Sequence, residues 1–297
     1  DLPVVYEDDH FAIVNKPAGI NVNRPKGGGG GGGSGSGSRL SVRSAAPYVL
    51  RPPRFGTLAI IRRPCPVHRL DKPTSGLLLI AKTKPAMVDL SRQFRERTVK
   101  KTYTAIINGW PRESSDPLSS REAHQLGVDV GYPDQGEGSG DDDGPSWHLI
   151  DCDLRGKSAV TVWRTLRRVR SERAQDRTLT LVELKPKSGR YHQLRRHMAL
   201  VCGRPIVGDR AYSGESGASI PLRHQFLDQG LFLCSNKVVL EHPYFNTREG
   251  RREWNAMEDG ERYQGGMVEL SQDGEKVMVQ AEIDLPQAFC SLLDSDS

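Results

Sequence analysis

The sequence predicts a mixed α+β fold in one domain. Three observations lead there. Strand-like apolar runs outnumber helical ones, the helices do not alternate with strands as βαβ units, and low-complexity stretches separate the regular segments. With 297 residues, and roughly 150 per domain as a guide, the chain can bury a sizeable core. The hydrophobic share of 36%, with 31 Gly and 19 Pro, fits a globular scaffold diluted by loops.

In chain order, Val4-Val5-Tyr6 and Phe11-Ala12-Ile13-Val14 flank Glu7-Asp8-Asp9-His10 and read as a hairpin. Gly27 to Ser38 is a glycine run followed by Ser-Gly alternation, without the Lys-Ser/Thr ending of a phosphate loop, and reads as a flexible linker. Ser75 to Ala81 has the look of a buried strand. Pro85 to Val99 reads as a helix, with Pro85 in its first turn and Met87, Leu90 and Phe94 on one face. Tyr103–Ile107, Ala159–Trp163 and Leu179–Leu184 are strand-like, with the basic run Arg164, Arg167, Arg168, Arg170, Arg173 and Arg177 between the last two. Tyr191 to Cys202 is helix-like, and Gly203 stands in the stop position. Flexible insertions are expected at 26–40, 112–147 and 246–280 within a domain spanning 1–297.

The net charge of +5 hides a partition. Residues 1–110 carry 18 basic and 7 acidic side chains, and 154–243 carry 17 and 7. The acidic excess falls in 111–153, with 2 basic and 11 acidic, and after residue 243. Two structured blocks are therefore strongly basic, which suits a polyanionic partner. No apolar run approaches the ~18 residues of a membrane span. Five scattered cysteines without a CxxC pair read as free thiols of a reducing compartment rather than a disulfide framework. The sequence opens on Asp1 rather than Met, so we expect a segment ahead of it and read no targeting signal.

Three polar clusters could carry chemistry. In Val67-His68-Arg69-Leu70-Asp71-Lys72-Pro73-Thr74-Ser75-Gly76, one carboxylate is wedged between cations and an apolar strand. The same residue types also make an ordinary turn. Lys187 to His197 holds His192 and His197, five residues apart and so about 140° apart around a helix. With no acidic residue nearby, this is a poor metal site. Lys101-Thr102-Tyr103 is the third, and alone it reads as a plain strand.

Together the clusters resemble the RluA-like family of RNA pseudouridine synthases. The HRLD-x-x-TSG loop matches His68 to Gly76, the K-x-Y strand matches Lys101 to Tyr103, and the TGR-x-HQ-[IL]-R-x-H helix matches Ser188 to His197, with Ser188 for Thr. Pro205 to Tyr212 matches the PI-x-GD-x-x-Y continuation. Weaker echoes are Tyr6-Glu7-Asp8 to Lys16-Pro17-Ala18-Gly19, Leu231 to Pro243 and Leu285 to Phe289.

The resemblance implies a mainly antiparallel sheet with flanking helices and a central cleft. It implies isomerisation of uridine in rRNA or tRNA by a monomer, without metal or other cofactor and away from membranes. Asp71 would be the essential carboxylate, as nucleophile or as base. Arg195 would pair with it, and Tyr103 would stack under the base. Arg69 would fill the gap left by a flipped uridine, with His68, Thr74, Lys101, Arg190, His192 and Gln193 as further substrate or RNA contacts. The alternative is a catalytically silent RNA-binding module on the same scaffold; a glycoside hydrolase would want a second carboxylate beside Asp71.

Overall fold

The computed structural model describes residues 1–24, 40–111, 147–213, 226, 228–258 and 267–295. They divide into two compact units, 1–101 with 234–284, and 102–233 with 285–297.

In the first unit, β1 (Val4–Glu7) and β2 (Phe11–Lys16) form the predicted hairpin. Asp8 shapes its turn by accepting hydrogen bonds from the His10 and Phe11 N–H groups at 2.6 and 2.8 Å. Helix α1 (Val42–Val49) starts at Ser41, which forms a capping box with Ser44. β3 (Ile60–Pro66) and β2 both pair antiparallel with β4 (Ser75–Thr83), whose apolar run is buried on both faces. Thr83 then caps α2 (Lys84–Glu96) by accepting from the Ala86 N–H.

That helix ends three residues earlier than its apolar pattern predicts. Arg97 adopts φ 63°, and the β-branched pair Thr98-Val99 leads on into β5 (Lys100–Asn108). Later in the chain come β9 (Leu233–Glu241), α4 (Arg248–Ala256), β10 (Val268–Leu270) and β11 (Val277–Glu282). β9, β11 and β10 are antiparallel neighbours, and β9 runs parallel to β4 at Ser75 and Gly76. Phe11, Ile13, Leu77, Leu79, Leu90 and Trp254 lie at the centre of this unit's core.

Gly76 shows how close that parallel approach is. It has φ +110°, and a Cβ there would stand 2.3 Å from the Ser235 carbonyl oxygen. Gly76→Ala must therefore displace β4 from β9. We expect it to lose at least about 1–3 kcal/mol of stability from backbone strain alone, read as a lower urea midpoint, whereas an unchanged midpoint would refute the contact.

In the second unit, β6 (His148–Asp153), β7 (Ser158–Arg170) and β8 (Thr178–Pro186) join β5 in the antiparallel order β5-β8-β7-β6. The segment around Ile206 lies against β5: the Val207 N–H donates to Ile106, and the Asn108 N–H donates to Pro205. Helix α3 (Gln193–Arg196) continues as a π-helical turn through Val201, and α5 (Gln287–Ser295) packs Phe289 on Phe232.

The first unit is a mixed, mainly antiparallel sheet and the second an antiparallel one, both with flanking helices, so the fold is mainly antiparallel as predicted. Three further expectations are corrected. The arginine run 164–170 does not link two strands but lies within β7. The helix expected from Tyr191 begins at Gln193, because His192 is left-handed at φ 51°. The expected insertion at 246–280 contains α4, β10 and the start of β11, held by the few apolar residues it has: Trp254, Val268, Val277 and Val279 are all buried. The other two expected insertions lie almost wholly outside the described residues. All five cysteines are free thiols, and no described helix is long and apolar enough to cross a membrane.

Candidate active site

In the first unit, Asp71 sits on a turn between buried Leu70 and β4. The Thr74 N–H donates to the Asp71 carbonyl at 3.1 Å and closes the turn. The turn is tied down by a residue that the sequence reading named only within a weaker echo. Lys16, the last residue of β2, is fully buried. Its ammonium donates to the carbonyls of Pro17, Ile20 and Lys72 at 2.9, 3.0 and 3.2 Å. The Lys72 carbonyl also accepts from the Gly19 N–H at 2.8 Å. Burial pushes the Lys16 pKa down to about 8, against the opposing pull of the Asp71 carboxylate. The available signal was the Lys16-Pro17-Ala18-Gly19 echo, whose lysine stands two residues after the apolar run Phe11-Ala12-Ile13-Val14.

His68 and Lys101 meet on Phe94. The His68 ring stacks on it at 4.5 Å, and the Lys101 ammonium stands 5.8 Å from its centre. His68 Nε2 accepts a hydrogen bond from the Leu79 N–H at 3.0 Å, which requires a neutral ring. Burial and the Lys101 charge push its pKa down to about 3. Burial and Arg97 lower Lys101 as well. Arg69 is exposed. Thr74 is buried, and its hydroxyl has no hydrogen-bond partner among the described residues.

A histidine with a lowered native pKa favours the fold above its unfolded pKa near 6.5. It loses that contribution as pH falls, because the unfolded chain binds the proton first. We therefore expect His68→Gln to flatten the dependence of unfolding free energy on pH between about 6.5 and 4, followed by urea titration. An unaltered slope would mean that His68 is not held neutral.

In the second unit, Tyr103 is half-buried on β5, opposite Leu184 of β8. The loop before α3 is organised by Gln193. Its carbonyl oxygen accepts from the Ser188 hydroxyl at 2.8 Å and the Arg190 N–H at 3.0 Å. Its amide donates to the Val160 carbonyl at 2.9 Å and the Thr161 hydroxyl at 3.0 Å. These four bonds use the full capacity of the side chain, so Gln193 positions the loop. Arg190 Nε donates to the Ser158 carbonyl at 3.0 Å. His197 Nδ1 lies 2.9 Å from the Thr161 hydroxyl, and burial with the Arg196 charge takes its pKa down to about 4.

Arg195 is 6% exposed and forks onto Asp209, with Nε and Nη2 each 2.7 Å from a carboxylate oxygen. Its Nη1 is 3.2 Å from His192 Nε2, and His192 Nδ1 is 2.9 Å from the Tyr212 hydroxyl. Nη1 can only donate, so His192 carries its proton on Nδ1 and donates it to Tyr212. The Asp209 side chain is fully buried and also accepts from the Ala211 N–H at 3.0 Å. Asp209 and Tyr212 are the partners of Arg195 and His192 that sequence reading missed here. Their signal was already in the Pro205–Tyr212 match, where an aspartate follows Gly208. That glycine has φ +76°, and a Cβ on it would stand 1.6 Å from the Gly230 carbonyl oxygen.

Each unit thus gathers its own share of the sequence-predicted residues. His68, Arg69, Asp71, Thr74 and Lys101, with Lys16, belong to the first. Tyr103, Arg190, His192, Gln193 and Arg195, with Asp209, belong to the second.

Comparison with known proteins agrees with this arrangement of motifs. Residues 10–200 match the sequence model of a family described as RNA pseudouridylate synthase. The chain is 33% identical over 248 residues to the dual-specificity RNA pseudouridine synthase RluA of Escherichia coli O6:H1, covering 82% of this chain and 89% of that protein. It is 32% identical over 247 residues to the tRNA pseudouridine synthase C of Vibrio cholerae, covering 82% and 86%. Among solved structures, human RNA pseudouridylate synthase domain containing 4 superposes with a TM-score of 0.56 over 98% of this chain and 92% of its own, at 19% identity, a likeness of fold. With the motif set in order along the chain, the chain belongs to the RluA-like family of RNA pseudouridine synthases.

Proposed function

We propose that this chain isomerises uridine to pseudouridine in rRNA or tRNA, with Asp71 as the essential carboxylate. The observation that carries the reading is the Asp71 turn, which the buried ammonium of Lys16 holds through the Lys72 carbonyl. The reaction breaks the N1–C1′ glycosidic bond, turns the uracil and joins C5 to C1′. N1 gains the hydrogen that C5 gives up through solvent, so atoms balance without a redox partner.

Uracil leaves as a stabilised anion that stays bound, so a single carboxylate can serve where glycosidases commonly use two. Asp71 acts on the sugar, either by attacking C1′ or by drawing the 2′ proton. In this reading the positive charge of Arg195 serves to keep Asp71 ionised. The fork onto Asp209 supports this role by fixing the plane of that guanidinium. Tyr103 stacks under the base, and the buried hydroxyl of Thr74 bonds the substrate. A uridine in a stem must be extruded. The exposed Arg69 fills the space it leaves, and the two basic blocks hold the phosphates. The enzyme acts as a monomer.

RNA carrying tritium at uridine C5 tests this directly. The protein should release tritium to water in step with pseudouridine formation. Release of free uracil would instead indicate a hydrolase, and no release would refute the reading.

A further inference from the structure

The stretch 40–64 carries five arginines and no lysine, aspartate or glutamate. It also places large apolar side chains in solvent: Tyr48 is 91% exposed, Phe55 109% and Leu58 74%. Scattered apolar residues on a surface need no explanation, but aromatic rings interleaved with guanidinium groups form a surface of defined chemistry.

This surface is held in place. Glu7 accepts from both the backbone N–H of Arg51, at 2.8 Å, and its Nε, at 3.2 Å. Asp9 does the same for Arg54, at 2.8 and 2.5 Å. Glu7 is fixed in turn by the buried Lys82 ammonium at 2.9 Å. Two carboxylates of the β1–β2 turn thus clamp the backbone on either side of Pro52-Pro53, and Phe55 follows directly. Arg43, Arg62 and Arg63 are exposed and make no ion pair among the described residues. A backbone clamped at two points, with rings facing solvent, has already lost the freedom that binding would otherwise remove.

From this geometry we propose that residues 43–63 form a docking platform for single-stranded RNA flanking the target uridine. Bases stack on Phe55 and Tyr48, and phosphates meet Arg43, Arg62 and Arg63. The proposal rests on the reading that the substrate is RNA. It adds a contact surface on the segment that leads through β3 into the Asp71 turn. Charge selects the occupant: Glu7 and Asp9 neutralise Arg51 and Arg54, and the three remaining exposed arginines, on a stretch with no acidic residue of its own, fit a polyanion, while the exposed rings favour a strand whose bases are unpaired.

The test is fluorescence anisotropy on the full chain with 5′-labelled (U)12 and with an RNA duplex of the same length. Phe55→Ala and Tyr48→Ala should each weaken (U)12 binding by about tenfold, since one stacked base is lost with each ring. Duplex affinity and the urea midpoint should hold, because both rings are exposed. Turnover at saturating RNA should also hold, so tritium release by these variants keeps this proposal separate from the catalytic one. Unchanged (U)12 affinity would overturn the platform. Equal losses for single strand and duplex would overturn it as well. So would a wild-type dimer, seen by sedimentation, that the same substitutions dissociate, for the surface would then belong to a second copy of the chain.

Discussion

Asp71→Asn is expected to lower turnover by at least about a thousandfold while leaving a folded protein that binds RNA. Asn keeps the size of the side chain and loses its charge. The turn does not depend on that charge: the Thr74 N–H donates to the Asp71 main-chain carbonyl, and Lys16 holds main-chain carbonyls of Pro17, Ile20 and Lys72. The substitution therefore removes the proposed reacting group and spares its support. Without the Asp71 carboxylate, burial is left to depress the Lys16 pKa below about 8 with nothing from Asp71 to oppose it. Single-turnover measurement with RNA in trace amount, beside a binding isotherm, separates the two effects. Persistent turnover would remove Asp71 from the chemistry, and loss of binding together with fold would make it structural.

Asp209→Ala is the second large effect. It strands the Arg195 guanidinium, 6% exposed, without the carboxylate that meets two of its three nitrogens. Breaking a buried pair from one side costs about 3–5 kcal/mol, so the urea midpoint should fall sharply. Turnover should fall more than RNA affinity, because the role proposed for Arg195 is in the chemistry rather than on a phosphate. Arg195→Met combined with Asp209→Asn separates structure from chemistry: the stranded charge is gone, so stability should largely return while activity does not. Recovery of both would show that the pair serves only the fold. Equal losses of turnover and affinity in Asp209→Ala would mark Arg195 as a phosphate contact.

The sequence made local features legible and left distant partnerships hidden. The β1–β2 hairpin, the β4 run and the strands β5 and β8 follow from apolar runs and turn residues within a few positions. The Asp71 loop and the Arg195 helix stand out as motifs. The partners of those motifs do not, since they arrive by folding. Asp209 reaches Arg195 from fourteen residues away, and Lys16 reaches Lys72 across fifty-six. The resemblance implies Gln193 as an RNA contact, yet its hydrogen bonds to Ser188, Arg190, Val160 and Thr161 are all internal. The α2 boundary shifts because Arg97 takes a left-handed conformation that favours glycine. The α4 segment reads as irregular because its burial rests on Trp254 and Gly250 rather than on an apolar stripe.

The most direct test of the account is a nucleoside balance on a target RNA before and after incubation with the wild-type chain. RNA digested to nucleosides should show pseudouridine gained mole for mole with uridine lost, with no free uracil and no change in chain length. Uridine conserved in every RNA offered, or lost as free uracil, would contradict it.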